Sequence, residues 1–281
     1  MRRWRRFRMG LETLIGRRRG FFAPYRHAAE VRRPGGYPEI GAAIAAAFAA
    51  PATAGMVCPA DVLAAMAEHG ETLAGFDGPP PRPRWRQSWY PGLDGAAAYA
   101  ILRGAAPRRV IEVGSGHSTR FMAQAVADGG TGTEIVCIDP APRAALSGLA
   151  LDWRAEVLGE RHLPLFDALG QGDVAFFDSS HLLWEGTDVD LILNRVFARL
   201  APGVLVHVHD VFLPDPYPEA WAWRGYTEQL GLGGWILGGG CSVLWSSRHA
   251  RTREPGRLPE AIAAIPVSED AVETALWLVK W

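Results

Sequence analysis

From about Ser88 onward, short apolar runs bounded by glycine alternate with stretches of helical period. The runs "RRVIEV" (Arg108–Val113), "EIVCID" (Glu134–Asp139), "DVAFFD" (Asp173–Asp178) and "GVLVHV" (Gly203–Val208) are nearly continuous in β-branched and aromatic residues. A strand that is apolar on both faces belongs in a parallel sheet covered on both sides. Between the runs, "LDGAAAYAILRG", "STRFMAQAVA" and "DVDLILNRVFARL" carry their apolar positions at helical spacing. Two further strands are predicted near the end, "SVLWSS" (Ser242–Ser247) and "ETALWLVKW" (Glu273–Trp281). Strands and helices in alternation predict an α/β fold, a doubly wound Rossmann-like sheet.

Upstream the pattern differs. Residues 38–75 read as two alanine-rich helices, followed by the breaker "DGPPPRPRWR" (Asp77–Arg86), a proline-arginine linker. Charge sets residues 1–37 apart as a basic arm. Eleven arginines stand against only Glu12 and Glu30 within residues 1–33. The chain's net charge of -1 hides this asymmetry and does not by itself point to nucleic acid. For residues 1–8 the plain reading is a solvated, partly disordered extension. "LETLIG" (Leu11–Gly16) suits a helical turn or two, and the adjacent aromatics of "RGFFAPYRHA" (Arg19–Ala28) suggest an ordered lid. Cys58, Cys137 and Cys241 are widely spaced with no CxxC pairing, which points to a reducing cytoplasm rather than a disulfide or zinc framework. No apolar run is long enough to span a bilayer, though the basic arm could touch an anionic membrane surface weakly. Homo-oligomerisation is left open.

The segment "VIEVGSGHSTRF" joins a strand, a Gly-x-Gly turn and the start of a helix. Gly114 and Gly116 let the backbone turn tightly and approach a ligand, with Ser115 between them, and Ser118 or Thr119 is placed to cap the helix. A dinucleotide fingerprint wants a third glycine where Thr119 stands, and Glu112 would sit badly beside a pyrophosphate. Asp139 closes the second strand and is placed to accept from ribose hydroxyls. Glu112 and Asp139 together favour a cationic nucleoside without phosphate; an ordinary strand-to-helix turn is the plain alternative. His117 reads equally as a turn residue or a cofactor contact.

At these residues the chain resembles the class I S-adenosylmethionine-dependent methyltransferases. The blocks "EVGSGHST", "CIDP", "FFDSSH" and "VHVHDVFLP" are similar to one bacterial branch, itself akin to catechol O-methyltransferases and cephalosporin-hydroxylase-like proteins. The resemblance covers roughly Trp89 to Trp281. It implies a seven-stranded sheet ending in an antiparallel hairpin, with the third strand near "AEVLG" (Ala155–Gly159), and a methyltransferase domain over residues 88–281 after a helical extension and linker at 38–87. It implies S-adenosylmethionine as cofactor, bound by Glu112, Gly114, Ser115, Gly116, Ser118 and Asp139.

The same resemblance implies a second site, where the tips of the fourth and fifth strands meet. Aligned through Pro214, Asp178, His209 and Asp210 fall on the family's divalent-metal ligands. Histidine among them departs from the oxygen set that Mg²⁺ prefers and suits Mn²⁺, Fe²⁺ or Zn²⁺ better. His181 falls on a basic position, where imidazole has the pKa range of a general base, and His209 and Asp210 join it as catalytic candidates. Asp178 and Ser179 could equally cap a loop, and His209–Asp210 could be a structural pair. His207, inside the strand, reads as a satisfied core histidine. Tyr217, Trp221 and Trp223, and more weakly Trp89, Tyr90, Phe21 and Phe22, are candidates for the substrate wall. The reading is O-methylation of a small molecule. The block "DSSH" replaces the (Asp/Asn)-Pro-Pro-aromatic motif usual in nucleic-acid amino-methylating enzymes, which argues against a nucleic-acid partner. A non-catalytic scaffold with this fold, or a cephalosporin-hydroxylase-like enzyme, are the alternatives.

Overall fold

The computed structural model describes residues 2–15, 25–53 and 55–281. Its centre is a seven-stranded sheet of β1 (Arg109–Val113), β2 (Glu134–Ile138), β3 (Asp152–Arg154), β4 (Val174–Phe177), β5 (Leu205–Val208), β6 (Cys241–Ser246) and β7 (Leu276–Lys280). The order across the sheet is β3-β2-β1-β4-β5-β7-β6, with β7 antiparallel to both of its neighbours. This bears out the doubly wound fold and its antiparallel end. The third strand lies at Asp152–Arg154, upstream of "AEVLG". It is only three residues long and largely exposed, so no apolar run marks it in the sequence.

The helices of the chain are α1 (Arg2–Leu14), α2 (Pro38–Ala49), α3 (Pro59–Glu68), α4 (Gly70–Ala74), α5 (Gly92–Ala105), α6 (His117–Gly129), α7 (Leu163–Asp167), α8 (Asp188–Leu191), α9 (Glu228–Leu237), α10 (Ser247–Arg253) and α11 (Glu260–Ala263). α8 runs on through a π-helical turn, Ile192–Val196. α1 extends through residues read from sequence as a solvated arm. The lid expected at Arg19–Ala28, with Phe21 and Phe22, falls largely outside the described residues.

Strands β1, β4 and β5 are buried along almost their whole length, because helices cover both faces of the sheet. α5 lies against α6 over one face, while α2 and α3 pack on β6. Ile40, Ile44 and Phe48 of α2 and Val62 and Met66 of α3 therefore share one apolar core with the strands. The Asp77–Arg86 stretch, read from sequence as a linker, is fastened to that core by Trp85. Its ring is 2% exposed, lies 4.8 Å from that of Phe121, and its indole N–H donates to the Leu73 carbonyl at 2.8 Å. A proline-rich run is normally mobile because it has nothing to bury, and a single buried indole reverses that.

Replacing Trp85 with alanine should cost about 3–5 kcal/mol, the usual range for a buried aromatic. Chemical denaturation would show it as a lowered midpoint; an unchanged midpoint would return this stretch to the status of a free linker.

Candidate active site

Sheet order reverses at β1, which has β2 on one side and β4 on the other. Beyond the carboxyl ends of strands at such a switch point, an α/β sheet has its natural crevice. β1 leaves the sheet through Gly114, whose φ of +80° is a left-handed conformation that glycine takes freely. Steric contact is the stricter demand. A Cβ on Gly114 would stand 1.9 Å from the carbonyl oxygen of Asp178, so no other residue lets β1 end so close to β4.

Four hydrogen bonds set the turn. Ser115 N–H donates to Asp139 Oδ2 at 2.6 Å, tying the turn to the end of β2. Gly116 N–H donates to Thr119 Oγ1 at 2.9 Å. The hydroxyls of Ser118 and Thr119 each donate to Glu112 at 2.7 Å. α6 thus starts at His117 with Gly116 at its N-cap; Thr119, in the first turn, accepts the N-cap N–H as the second half of a capping box does, while the Ser118 hydroxyl turns to Glu112. Glu112 is fully buried beneath the turn, with the Cys137 thiol 3.1 Å from Oε2. Burial pushes its carboxyl up to about 7, against the pull of its three donors. The turn carries Gly114, Ser115 and Gly116 with Asp139 at its edge, as the sequence suggested, while Glu112 and the Ser118 hydroxyl are engaged with each other underneath.

Above the turn is a cleft of about 20 Å³, lined by Trp89, Tyr90, Ser115, Gly116, His117, Ser118, Arg143 and Asp178. Burial lowers the His117 imidazole to about 4, with Arg120 and Arg84 adding to the effect, so it is neutral there. The Arg143 guanidinium lies 4.4 Å from the Trp89 ring centre, and the pair forms part of the cleft wall. Sequence carried no sign of Arg143.

Asp178 faces a second group of side chains. His181 Nε2 lies 3.2 Å from Asp178 Oδ1 and 3.5 Å from Asp210 Oδ2. His209 Nδ1 lies 3.5 Å from Asp178 Oδ1 and 3.8 Å from Asp210 Oδ1. The four residues predicted after β4 and β5 are therefore brought together. Each imidazole is also held from behind by a carboxylate: His181 Nδ1 by Glu228 at 2.9 Å, and His209 Nε2 by Asp94 at 3.3 Å. Asp94 is itself fixed by the backbone N–H groups of Thr274 and Ala275. Sequence reading did not single out these two as site residues. An aspartate in a first helical turn resembles any dipole-complementing acid, and Asp94 meets its partners only through contacts of more than a hundred residues' separation.

Burial by itself would lower both imidazoles, but the surrounding carboxylates hold His181 and His209 well above the usual range. Burial would likewise raise Asp178, yet His209 and His181 hold it well below the ordinary carboxylate value. His207 behaves oppositely to these two imidazoles. It is fully buried, stacked 3.7 Å from Phe176, and bonded at Nε2 to the Tyr90 hydroxyl; burial and the charge of His209 keep it neutral.

Backbone conformation singles out the same residues. Among the described residues three non-glycine positions have φ in the left-handed region, and two of them are His181 (+60°) and Asp210 (+55°). Such conformations cost on the order of 1–3 kcal/mol each and persist where surrounding contacts enforce them, often at working sites. Next to the group, Glu228 Oε1 and Ser179 Oγ are buried without a hydrogen-bond partner among the described residues. Tyr226 roofs it, its ring 4.5 Å from that of His181. Tyr217 and Trp221, predicted for the substrate wall, pack instead with Phe212 and Tyr226 in an aromatic cluster behind this roof. Among the described residues no group of three or more His, Cys, Asp and Glu is placed so that it could hold a metal ion.

Residues 111–211, from β1 through the end of β5, match the model of a family described as a methyltransferase domain. Within that segment the chain is similar to methyltransferase domains. No curated protein matches the sequence. Among solved structures, the chain is similar to the SAH-bound Podospora anserina methyltransferase, at 15% identity and TM-score 0.40, over 93% of this chain and 99% of that one. It is also similar to the SAH-complexed O-methyltransferase of Bacillus cereus, at 12% identity and TM-score 0.43, over 87% and 98%. Likeness at this level adds nothing to the reading of individual residues. In the matched segment the glycine turn and the histidine–aspartate group meet at Asp178, which belongs to both.

Glu112 gives this arrangement a pH signature. Its folded value near 7 lies above the ordinary 4.5, so its stabilising contribution is complete below about pH 4.5 and is lost as pH rises through 7. Glu112→Gln removes that loss. Relative to wild type, the variant should gain on the order of 3 kcal/mol between pH 4.5 and 8. Urea unfolding across that range checks it, and parallel stability curves would refute the buried, protonating carboxyl.

Proposed function

We propose that the chain transfers a methyl group from S-adenosylmethionine to a hydroxyl of a small molecule. The observation that carries this reading is the position of Asp178. Its backbone abuts Gly114 in the turn, and its carboxylate touches His181 and His209 in the strained group. Donor cleft and acceptor group are thus in contact through one residue.

Fit to the cofactor rests on chemistry and on space. Gly116 is open, with no atom closer than 3.7 Å to where a Cβ would be, and the half-buried Asp139 stands at the edge of the turn. The cleft of about 20 Å³ holds roughly one water, so binding requires it to widen. When bound, the cofactor supplies the methyl group as a sulfonium electrophile and departs as a neutral thioether. The chain's residues have three tasks: to align the acceptor oxygen, to exclude water, and to take up the hydroxyl proton. In this reading the proton goes to the Asp178–His181 pair. His181 acts as the base only in its neutral form, with Glu228 holding Nδ1 and so leaving Nε2 as the acceptor. Asp94 performs the same orienting task for His209.

The donor types, though not their present arrangement, suit a divalent cation. Asp178, His209 and Asp210 would hold it with His181 beside them, and an imidazole among the donors favours Mn²⁺, Fe²⁺ or Zn²⁺ over Mg²⁺. Carboxylates behind each imidazole are the usual second support of such ligands. A bound cation would lower the pKa of the acceptor hydroxyl.

A cavity of about 460 Å³ opens among Arg248, Arg251, Ile265, Val267, Val272 and Glu273, a size usual for small-molecule sites. The next residue after Glu273 is Thr274, whose hydroxyl donates to Asp210 at 3.3 Å.

Calorimetric titration with S-adenosylmethionine and its demethylated product tests the reading directly; no binding at high micromolar cofactor would end it. Asp139→Ala should weaken cofactor binding about tenfold or more with the fold intact, the worth of one or two charge-assisted hydrogen bonds. Asp210→Ala should abolish turnover while leaving cofactor affinity within a few fold. Equal loss of both in the Asp210 variant would contradict its place on the acceptor side. Chelation separates the metal from the rest: turnover lost in EDTA and restored by Mn²⁺ or Zn²⁺ supports it, and indifference to EDTA removes it.

A further inference from the structure

α1 plays no part in the methyl-transfer reading, and its surface is unusual. Trp4, Phe7, Leu11 and Leu14 recur at spacings of three and four, so at about 100° per residue they form one stripe along the helix. All four are exposed, at 69%, 61%, 50% and 82%, and Ile15, which follows the helix on the same side, is exposed at 70%. Trp4 and Phe7 stack on each other, their ring centres 5.6 Å apart. The same helix carries five arginines, at positions 2, 3, 5, 6 and 8. Glu12 is the only acid in the helix, and it pairs with Arg8.

We infer that α1 is an interfacial anchor that lies flat on an anionic lipid surface, its Trp4–Phe7–Leu11–Leu14 stripe among the acyl chains and its arginines at the headgroups. An apolar stripe containing tryptophan and phenylalanine, in a helix that also carries five arginines, is the composition such helices need. Left in water, the same stripe is a hydrophobic patch of the kind that marks an interaction surface. Charge selects the occupant. Five arginines and one acid favour a negatively charged partner, and the apolar stripe has no role against a phosphate backbone, which excludes nucleic acid as the better fit. A second copy of the helix would also cover the stripe. However, the stripe spans fewer than two heptads, against the three or four that sustain a coiled coil, and a parallel pairing would set arginines against arginines. None of the described helices is long and apolar enough to cross a membrane, so the mode of contact is along the surface.

Flotation of the full chain with vesicles tests the inference independently of any activity. Vesicles of phosphatidylcholine containing about a third phosphatidylglycerol should carry the protein up, and pure phosphatidylcholine vesicles should leave most of it behind. Phe7→Gln with Leu11→Gln keeps the charge and the helix propensity while removing half of the stripe; anionic-vesicle affinity should fall by at least about tenfold, because buried apolar area contributes directly to such binding. The double variant should retain the wild-type circular dichroism and cofactor binding. Three results overturn the inference: no binding to anionic vesicles, binding by the double variant equal to that of wild type, or preferential capture by a DNA duplex that the double variant retains. A wild-type dimer broken by the double variant, seen in sedimentation, would assign the stripe to self-association instead.

Discussion

The working edge of this protein depends on the contact between Gly114 and the carbonyl of Asp178. Two parallel strands, β1 and β4, must end close enough for one to cross in front of the other, and a methyl group at position 114 would lie within 1.9 Å of that oxygen. Because the contact is backbone to backbone, it leaves the Asp178 side chain free to reach the tips of β4 and β5. One steric condition thus puts a glycine turn and a charged group within reach of each other, which is the spatial requirement for passing a group from one bound molecule to another.

Around that contact the protein accepts an electrostatic cost. Asp94, Asp178, Asp210 and Glu228 surround His181 and His209 at the buried end of the sheet. Desolvation disfavours every one of these charges. Pairing outweighs it for the two imidazoles and for Asp178, whereas Glu228, with one oxygen lacking a partner, is raised. Left-handed backbone at His181 and Asp210 adds a further cost. Interactions that are individually unfavourable persist here because the surrounding helices and β7 hold them, Asp94 through the N–H groups of Thr274 and Ala275 and His181 through α9. A purely structural core would replace such a group with apolar side chains at no loss of stability.

Much of this was legible in the chain itself. Strand positions were, because β1, β4 and β5 are buried on both faces and therefore apolar without interruption. β3 was not, since a short exposed edge strand has no such pattern. The glycine turn could be read because turns are local features, whereas the meeting of "DSSH" with "HD" followed from the sheet order that the resemblance implied. Glu112 shows the limit. Its distance from Gly114 was evident, but whether it faced the cleft or the helix beneath was settled by the hydroxyls of Ser118 and Thr119.

By itself, then, the sequence determined the alternation of strands and helices, the place of the turn, and which chemical groups stand at the strand tips. All of these follow from backbone periodicity and from residues within a few positions of each other. Tertiary structure alone decided that Asp94 and Glu228 stand behind the two imidazoles, that Trp85 fastens the proline-rich stretch, and that Arg143 lies over Trp89. Each of these is a contact between elements remote in the chain. Which side chain meets which then depends on how whole helices settle on the sheet, and no local pattern encodes that.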